Sequence, residues 1–156
     1  MPQATTAIPT ATFSEVLANL AFLFTGEEPT DPPSASRWWE ASIAYRGPYG
    51  GTLRLRCTPE FAALLAANLL GTDPQAAPAG ARAADSVKEL MNVFCGHFVT
   101  TVYGTKHVFD VSLPEIRELP AEDAADAASE GDFATVYVEG HIVRIVHEPG
   151  LAEGVT

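Results

Sequence analysis

The chain has 156 residues, of which 47% are hydrophobic, and a formal net charge of −11 at pH 7. This length and hydrophobic content predict one folded domain with its own core, and they exclude a disordered chain. Because nucleic acids and anionic membrane surfaces attract clustered Lys and Arg, the acidic balance argues against both as partners.

The remaining composition favours a cytoplasmic protein that holds no metal. No apolar run reaches the length of a membrane span, and the N-terminus lacks the basic start and apolar stretch of a signal peptide. The two cysteines, Cys57 and Cys95, form no CxxC pair, so we expect buried thiols. Since the four histidines show no ligand spacing, we expect no metal site on this chain.

Hydrophobic periodicity and turn residues predict eight elements. In chain order they are a helix from Thr12 to about Phe24, strands Trp38–Tyr45 and Thr52–Cys57, a helix from Pro59 to Gly71, a helix Arg82–Tyr103, a strand Lys106–Leu113, and strands Phe133–Val138 and His141–His147. We expect residues 12–148 to form the single domain, with a flexible lead at 1–11 and a tail at 149–156. The acidic segment 118–132 is predicted to be a surface loop.

Local signals fix several of these boundaries. Thr12 and Glu15 match a capping box, which opens the first helix, and Gly26 stops it. Thr58 is predicted as the N-cap of the second helix. In the strand before it, leucines alternate with Arg54 and Arg56, which predicts one buried and one wet face of the sheet.

This order of elements predicts an α+β fold. Neighbouring strands that short turns can join favour a largely antiparallel sheet, with long helices layered on it. Superposing Asn19 on Asn92 lays the first helix over the third, each followed by strands. The chain can therefore be read as pseudo-duplicated helix-strand-strand units, in which only the second unit has a polar row on its helix.

That polar row lies on the predicted helix Arg82–Tyr103. At about 100° per residue, Asp85, Glu89, Asn92 and Gly96 fall within an arc roughly 60° wide. The opposite side is apolar: Val87, Leu90, Met91, Phe94, Phe98 and Val102. Asn and Gly are poor choices in mid-helix, which favours a functional row. An ordinary solvated face of an amphipathic helix is the alternative, and the spacing alone leaves both interpretations open.

The row Asp85-xxx-Glu89-xx-Asn92-xxx-Gly96, followed by Ser112-Leu-Pro114 in a strand region, resembles the motif of the CheC/CheX/FliY phosphatases. These chemotaxis proteins dephosphorylate response regulators of the CheY type. With one copy of the motif in a chain of this length, the sequence looks most like CheX. The resemblance covers roughly residues 12–148.

The resemblance implies a protein-aspartyl-phosphate phosphatase. The substrate would be a phosphorylated CheY-like response regulator that already carries Mg²⁺, so that this chain needs no cofactor of its own. Asn92 would position the attacking water and Glu89 would pair with a lysine of the regulator. Asp85 and Gly96 would contribute to binding the partner.

Two further expectations accompany this assignment. The competing hypothesis is a noncatalytic CheX-like module, in which the same helix binds a receiver domain or forms a dimer. Relatives resembling CheX are associated with homodimers, so we expect one here. An exposed sheet edge or the hairpin Phe133–His147 is the expected surface, because unpaired strand edges invite pairing.

Overall fold

Three helices pack against one face of an antiparallel sheet. The computed structural model describes residues 8–31, 37–71, 81–120 and 132–150. Within them the helices are α1 (Thr10–Ala21), α2 (Pro59–Leu70) and α3 (Ala81–Tyr103), and the strands are β1 (Thr25–Gly26), β2 (Arg37–Arg46), β3 (Gly51–Cys57), β4 (Asp110–Val111), β5 (Glu115–Pro120), β6 (Asp132–Val138) and β7 (His141–Pro149). The strand order is β1-β6-β7-β3-β2-β4, and β5 also pairs with β2. The predicted α+β fold with a largely antiparallel sheet is confirmed.

Strand alternation builds the main core. Ala41 lies opposite Leu55, and Leu55 lies opposite Ile145, so the central strands β2, β3 and β7 present the same face to the helices. All three side chains are fully buried in the cluster that also takes in the apolar sides of the helices. Because side chains on a strand alternate between faces, this register sends the intervening residues to the far face of the sheet.

The predicted start and stop of α2 are both confirmed. The hydroxyl of Thr58 accepts a hydrogen bond from the backbone N–H of Phe61 at 3.1 Å, and Pro59 occupies the first turn. Gly71 ends the helix in the left-handed conformation at φ 70°. The Thr58 hydroxyl satisfies a free N–H at the start of the helix, and the backbone N–H of Gly71 satisfies the carbonyl of Ala67 at its end.

The predicted capping box of α1 is wrong. The helix begins at Thr10, because the carbonyl of Pro9 accepts the N–H groups of Thr12 and Phe13. Thr12 therefore lies inside the helix, and its hydroxyl donates to that of Thr101 at 3.4 Å. Residues 10 and 11 belong to α1 rather than to the predicted lead, and residues 1–7 lie outside the described part of the chain.

The end of α1 also differs from the prediction, since the helix stops at Ala21 rather than near Phe24. Phe22 adopts the left-handed conformation at φ 55°, donating its N–H to Ala18, while Leu23 donates to Leu17. The bond from the N–H of Phe22 to the carbonyl of Ala18 is that of the αL motif, which favours glycine, and a side chain in that conformation costs about 1–2 kcal/mol. The turn buries Leu23 and leaves Phe22 73% and Phe24 59% exposed.

Two strands, β1 and β5, were not predicted. The expected strand Lys106–Leu113 contributes only Asp110–Val111, and the start of the predicted acidic loop, as far as Pro120, belongs to β5. Both strands pair with longer partners: β5 lies along β2, and β1 lies against the end of β6. The rest of the acidic loop, residues 121–131, lies outside the described residues.

The predicted wet face of the sheet holds a buried ion pair. Arg56, expected in solvent, is 2% exposed, and its Nε donates to Glu40 at 2.8 Å, while Arg117 reaches the same carboxylate at 2.8 Å. Burial alone would raise the pKa of Glu40, but the hydrogen bonds and charges of the two arginines outweigh it and lower the pKa. Trp38 is buried on this face, with the guanidinium of Arg144 5.4 Å from its ring centroid.

Three further features of the scaffold bear on the sequence predictions: the two cysteines, the β6–β7 hairpin and the apolar length of the helices. Cys57 and Cys95 are buried, as predicted, and burial raises their thiol pKa values to about 12 and about 11. The hairpin expected as a dimer surface offers no free edge along β7, because that strand is paired on both sides, with β3 and with β6. No helix among the described residues is long and apolar enough to cross a membrane.

Candidate functional site

Helix α3 presents its polar row on the side away from the sheet. Asp85, Glu89, Asn92 and Gly96 are all exposed. Of the six apolar side chains predicted for the opposite side, Val102 is half-buried. The other five are fully buried: Val87, Leu90, Met91, Phe94 and Phe98. The inner side of α3 is therefore fixed by the core, and the row stands on a rigid element.

Within the described part of the chain, nothing binds the side chains of this row. Asp85, Glu89 and Asn92 make no hydrogen bond or ion pair with another described residue. A Cβ added at Gly96 would meet no atom within 4 Å, so packing inside the chain does not require glycine there. The row has two acceptor carboxylates, one amide and an open backbone segment available to another molecule.

Helix α1 lies alongside the row and runs antiparallel to α3. Thr12 contacts Thr101 near one end, and a groove of about 220 Å³ separates the two helices further on. Its lining comes from both helices: Glu15, Val16, Asn19, Leu20, Val93 and His97. A groove of this size is smaller than ordinary small-molecule pockets and suits a side chain of another protein.

The second part of the motif, Ser112-Leu-Pro114, lies at the sheet rather than beside the row. The hydroxyl of Ser112 accepts the N–H of Ala44 at 3.0 Å, and the N–H of Ser112 donates to the carbonyl of Ala44 at 2.8 Å. This segment therefore links β4 to β5 along the edge of β2. Its observed contacts support the scaffold and add no side chain to the row on α3.

Sequence reasoning did not identify the α1 surface beside the row. Glu15 and Asn19 are exposed on that helix, and Phe22 follows them at its C-terminal end. One signal was available: at about 100° per residue, Phe22 falls half a turn from the apolar stripe of that helix, where a phenylalanine is unexpected. The sequence forms that stripe from Phe13, Val16, Leu17, Leu20, Leu23 and Phe24. The groove itself depends on how the two helices pack, which no local pattern indicates.

The described residues form no metal-binding cluster at the row. Among residues 8–31, 37–71, 81–120 and 132–150, no group of three His, Cys, Asp or Glu side chains is placed to hold a metal ion. Within the row, Asp85 and Glu89 supply two carboxylates one turn apart, and Asn92 supplies an uncharged amide.

Several solved structures share this fold. CheX of Borrelia burgdorferi, in a complex with CheY, BeF3 and Mg²⁺, is 17% identical with a TM-score of 0.62, and the match covers 91% of this chain and 95% of that one. CheX of Desulfovibrio desulfuricans is 12% identical with a TM-score of 0.63, and the match covers 90% of this chain and 95% of that one. CheX of Vibrio vulnificus is 16% identical with a TM-score of 0.62, and the match covers 94% of this chain and 100% of that one.

A family comparison gives the assignment that these distant structural matches leave open. No curated protein matches the sequence significantly. The family model described as chemotaxis phosphatase CheX matches residues 40–136, more than half of the chain, and this range contains the whole row on α3. The chain belongs to the CheX family of chemotaxis phosphatases.

Proposed function

We propose that this protein dephosphorylates the aspartyl phosphate of a CheY-type response regulator. The observation that carries the proposal is the exposed pair Glu89 and Asn92, one turn apart on a rigid helix and without bonding partners among the described residues. The match to CheX in its complex with CheY, BeF3 and Mg²⁺ supports a receiver domain as the partner. BeF3 is a chemical analogue of a phosphoryl group.

Asn92 is proposed to hold the attacking water in line with phosphorus. An amide has no useful pKa near neutrality, so it does not act as a general base. Phosphoryl transfer depends mainly on positioning and on charge stabilisation, which makes an amide sufficient if the water is held well. Because Asn92 is exposed and has no hydrogen-bond partner among the described residues, its entry into a partner's site breaks no hydrogen bond within that part of the chain.

Glu89 is proposed to fix the helix in register on the partner. A carboxylate one turn from Asn92 can pair with a lysine beside the phosphorylated aspartate, and a charge-assisted hydrogen bond gives both affinity and orientation. Asp85, one turn further, would be an outer contact, and the open backbone at Gly96 would allow close approach. The Mg²⁺ and the lysine would both belong to the regulator.

The direct test is phosphate loss from purified phosphorylated regulators, timed with and without this chain. Accelerated loss supports the phosphatase, whereas binding without acceleration indicates a noncatalytic receiver-binding module. If the chain neither binds nor accelerates phosphate loss from any regulator of the same organism, the row is an ordinary solvated helix face. A homodimer remains a proposal in either of the first two cases, and sedimentation of the purified chain tests it.

Glu89→Ala should weaken association as well as turnover, because the charge-assisted contact is lost. We expect the Kd for the regulator to rise about tenfold or more, since truncating one partner of a close charge pair costs about 2 kcal/mol or more. Titration against a BeF3-activated regulator measures it, with Glu60→Ala at the start of α2 as the matched acidic control. An unchanged Kd for Glu89→Ala would contradict the docking role.

A further inference from the structure

An exposed apolar side chain ends α1 in a conformation that only glycine adopts easily. Phe22 is 73% exposed and occupies the left-handed position that ends α1, at φ 55° and ψ 37°. Glycine at this position would satisfy the same backbone bonds without strain. The left-handed backbone of Phe22 costs the free chain stability, and the exposed ring gains little burial in return, so the strain at this position motivates a use in binding another molecule.

The position of Phe22 follows from how α1 packs on α3. Along α1, the contacts with α3 move from Thr101, opposite Thr12, back to Val93 in the groove that Leu20 lines. Phe22 comes two residues after Leu20. At about 1.5 Å per residue, this register puts Phe22 level, along the helix axis, with the turn of α3 that precedes Val93 and carries Glu89 and Asn92.

Phe22 lies just past an exposed pair on α1. Glu15 and Asn19 are exposed four residues apart, which is the spacing of one helix face, and the exposed Phe22 follows at the end of the helix. We call these three residues the α1 row. This α1 row and the polar row of α3 run side by side with the groove between them. A partner that covers Glu89 and Asn92 therefore meets the α1 row as well.

Charge favours a receiver domain over a second copy of this chain as the occupant. The two rows together carry three carboxylates, on Glu15, Asp85 and Glu89, and α1 contains no basic residue. The basic residues of α3, Arg82 and Lys88, flank its row. Two copies meeting through this surface would bring like charges together in a protein of net charge −11, whereas a partner with a basic side chain near its phosphate is complementary.

We propose that Phe22 is an apolar anchor for the response regulator, docking beside the polar row while Glu89 and Asn92 enter the phosphorylation site. The proposal rests on the proposed function and identifies how the partner is held. Aromatic side chains at the centre of an interface commonly carry much of its binding energy, and the flanking carboxylates then exclude water and set orientation. Phe22 touches no reacting atom and acts only on affinity.

Phe22→Gly tests the anchor, because it removes the ring and suits the left-handed backbone. We expect the Tm of the variant to rise by about 2–4 °C, since the strain is relieved. The Kd for a BeF3-activated regulator should rise about tenfold or more. In timed dephosphorylation, KM should rise by the same factor while kcat stays within about twofold, because uniform binding is lost and the reacting groups are intact.

Two further variants make the result specific. Phe22→Tyr keeps the ring and should retain a Kd within about threefold of the native value. Val108→Ala is the matched control, because Val108 is 85% exposed beyond the opposite end of α3, and its Kd should not change.

Each outcome is decisive. A raised Tm with an unchanged Kd for Phe22→Gly would overturn the anchor while leaving the phosphatase intact. If Phe22→Gly abolishes self-association and leaves the Kd for the regulator unchanged, a second copy covers this surface and the proposal is wrong. If the native chain neither binds nor dephosphorylates any regulator, the proposed function fails, and the anchor fails with it.

Discussion

Asn92 and Gly96 are unfavourable choices for the middle of a helix, and the structure contains no contact that compensates for them. The amide of Asn92 has no hydrogen-bond partner among the described residues, and the space above Gly96 is open. In an isolated solvated face, selection for stability would favour alanine at both positions. Their presence is better explained by contacts with another protein.

Gly96→Ala should therefore stabilise the free chain and weaken its complex. The helix gains about 0.5–1 kcal/mol in free energy of unfolding, because alanine loses less backbone entropy than glycine and its Cβ meets no atom. Denaturant unfolding measures the stability, and titration with a BeF3-activated regulator measures the affinity. Thr100→Ala, one turn further on the exposed side of α3, is the control. A more stable variant that binds as well as the native chain would favour the ordinary solvated face.

The row itself was predictable because helical periodicity is a property of the local sequence. Asp85, Glu89, Asn92 and Gly96 fall where the spacing puts them, and all four are exposed. Arg56 was not predictable, because alternation along β3 gives its face but not the buried Glu40 on the neighbouring strand. Phe22 was missed because the burial of Leu23 turns the chain three residues before the predicted end.

At the level of elements, local signals located the helices and hairpins well. Thr58 and Gly71 bound α2 as predicted, and the turn at Glu139–Gly140 joins β6 to β7. The short strands β1 and β5 escaped prediction because pairing with an existing strand, rather than periodicity, makes them strands. The predicted acidic loop accordingly began too early, before the end of β5 at Pro120.

Among the elements, β2 is sensitive to acid through Glu40. Its pKa is lowered from an ordinary value of 4.5, so the folded chain holds the proton less tightly than the unfolded chain. The ion pair contributes stability above about pH 4.5, and this contribution is lost as the pH falls through the lowered pKa. Acidification from pH 7 to pH 3.5 should therefore destabilise the native chain more than Glu40→Gln.

Urea unfolding of both proteins at the two pH values measures this difference. At pH 7, Glu40→Gln should be less stable by about 3 kcal/mol, because a buried arginine loses its charged partner. Glu118→Gln on β5, whose side chain is 67% exposed, should behave like the native chain. Equal losses of stability on acidification in Glu40→Gln and the native chain would contradict the role of the pair.

As a whole, the molecule is built to present one helix. The sheet and the inner sides of α1 and α2 bury one side of α3, and the outer side is left without partners among the described residues. Under the proposed function, the chain contributes an amide and carboxylates from the row on α3. The phosphoryl group, its Mg²⁺ and a lysine would come from the regulator.

The central claim is that Asn92 acts on the reaction rather than on affinity. Asn92→Ala should reduce kcat for dephosphorylation by about 10²-fold or more, because the water is no longer held in line, while the Kd for the BeF3-activated regulator stays within about threefold. Its free energy of unfolding should not fall, since alanine is the better helix former. Phosphate loss at the native rate with Asn92→Ala would contradict the account.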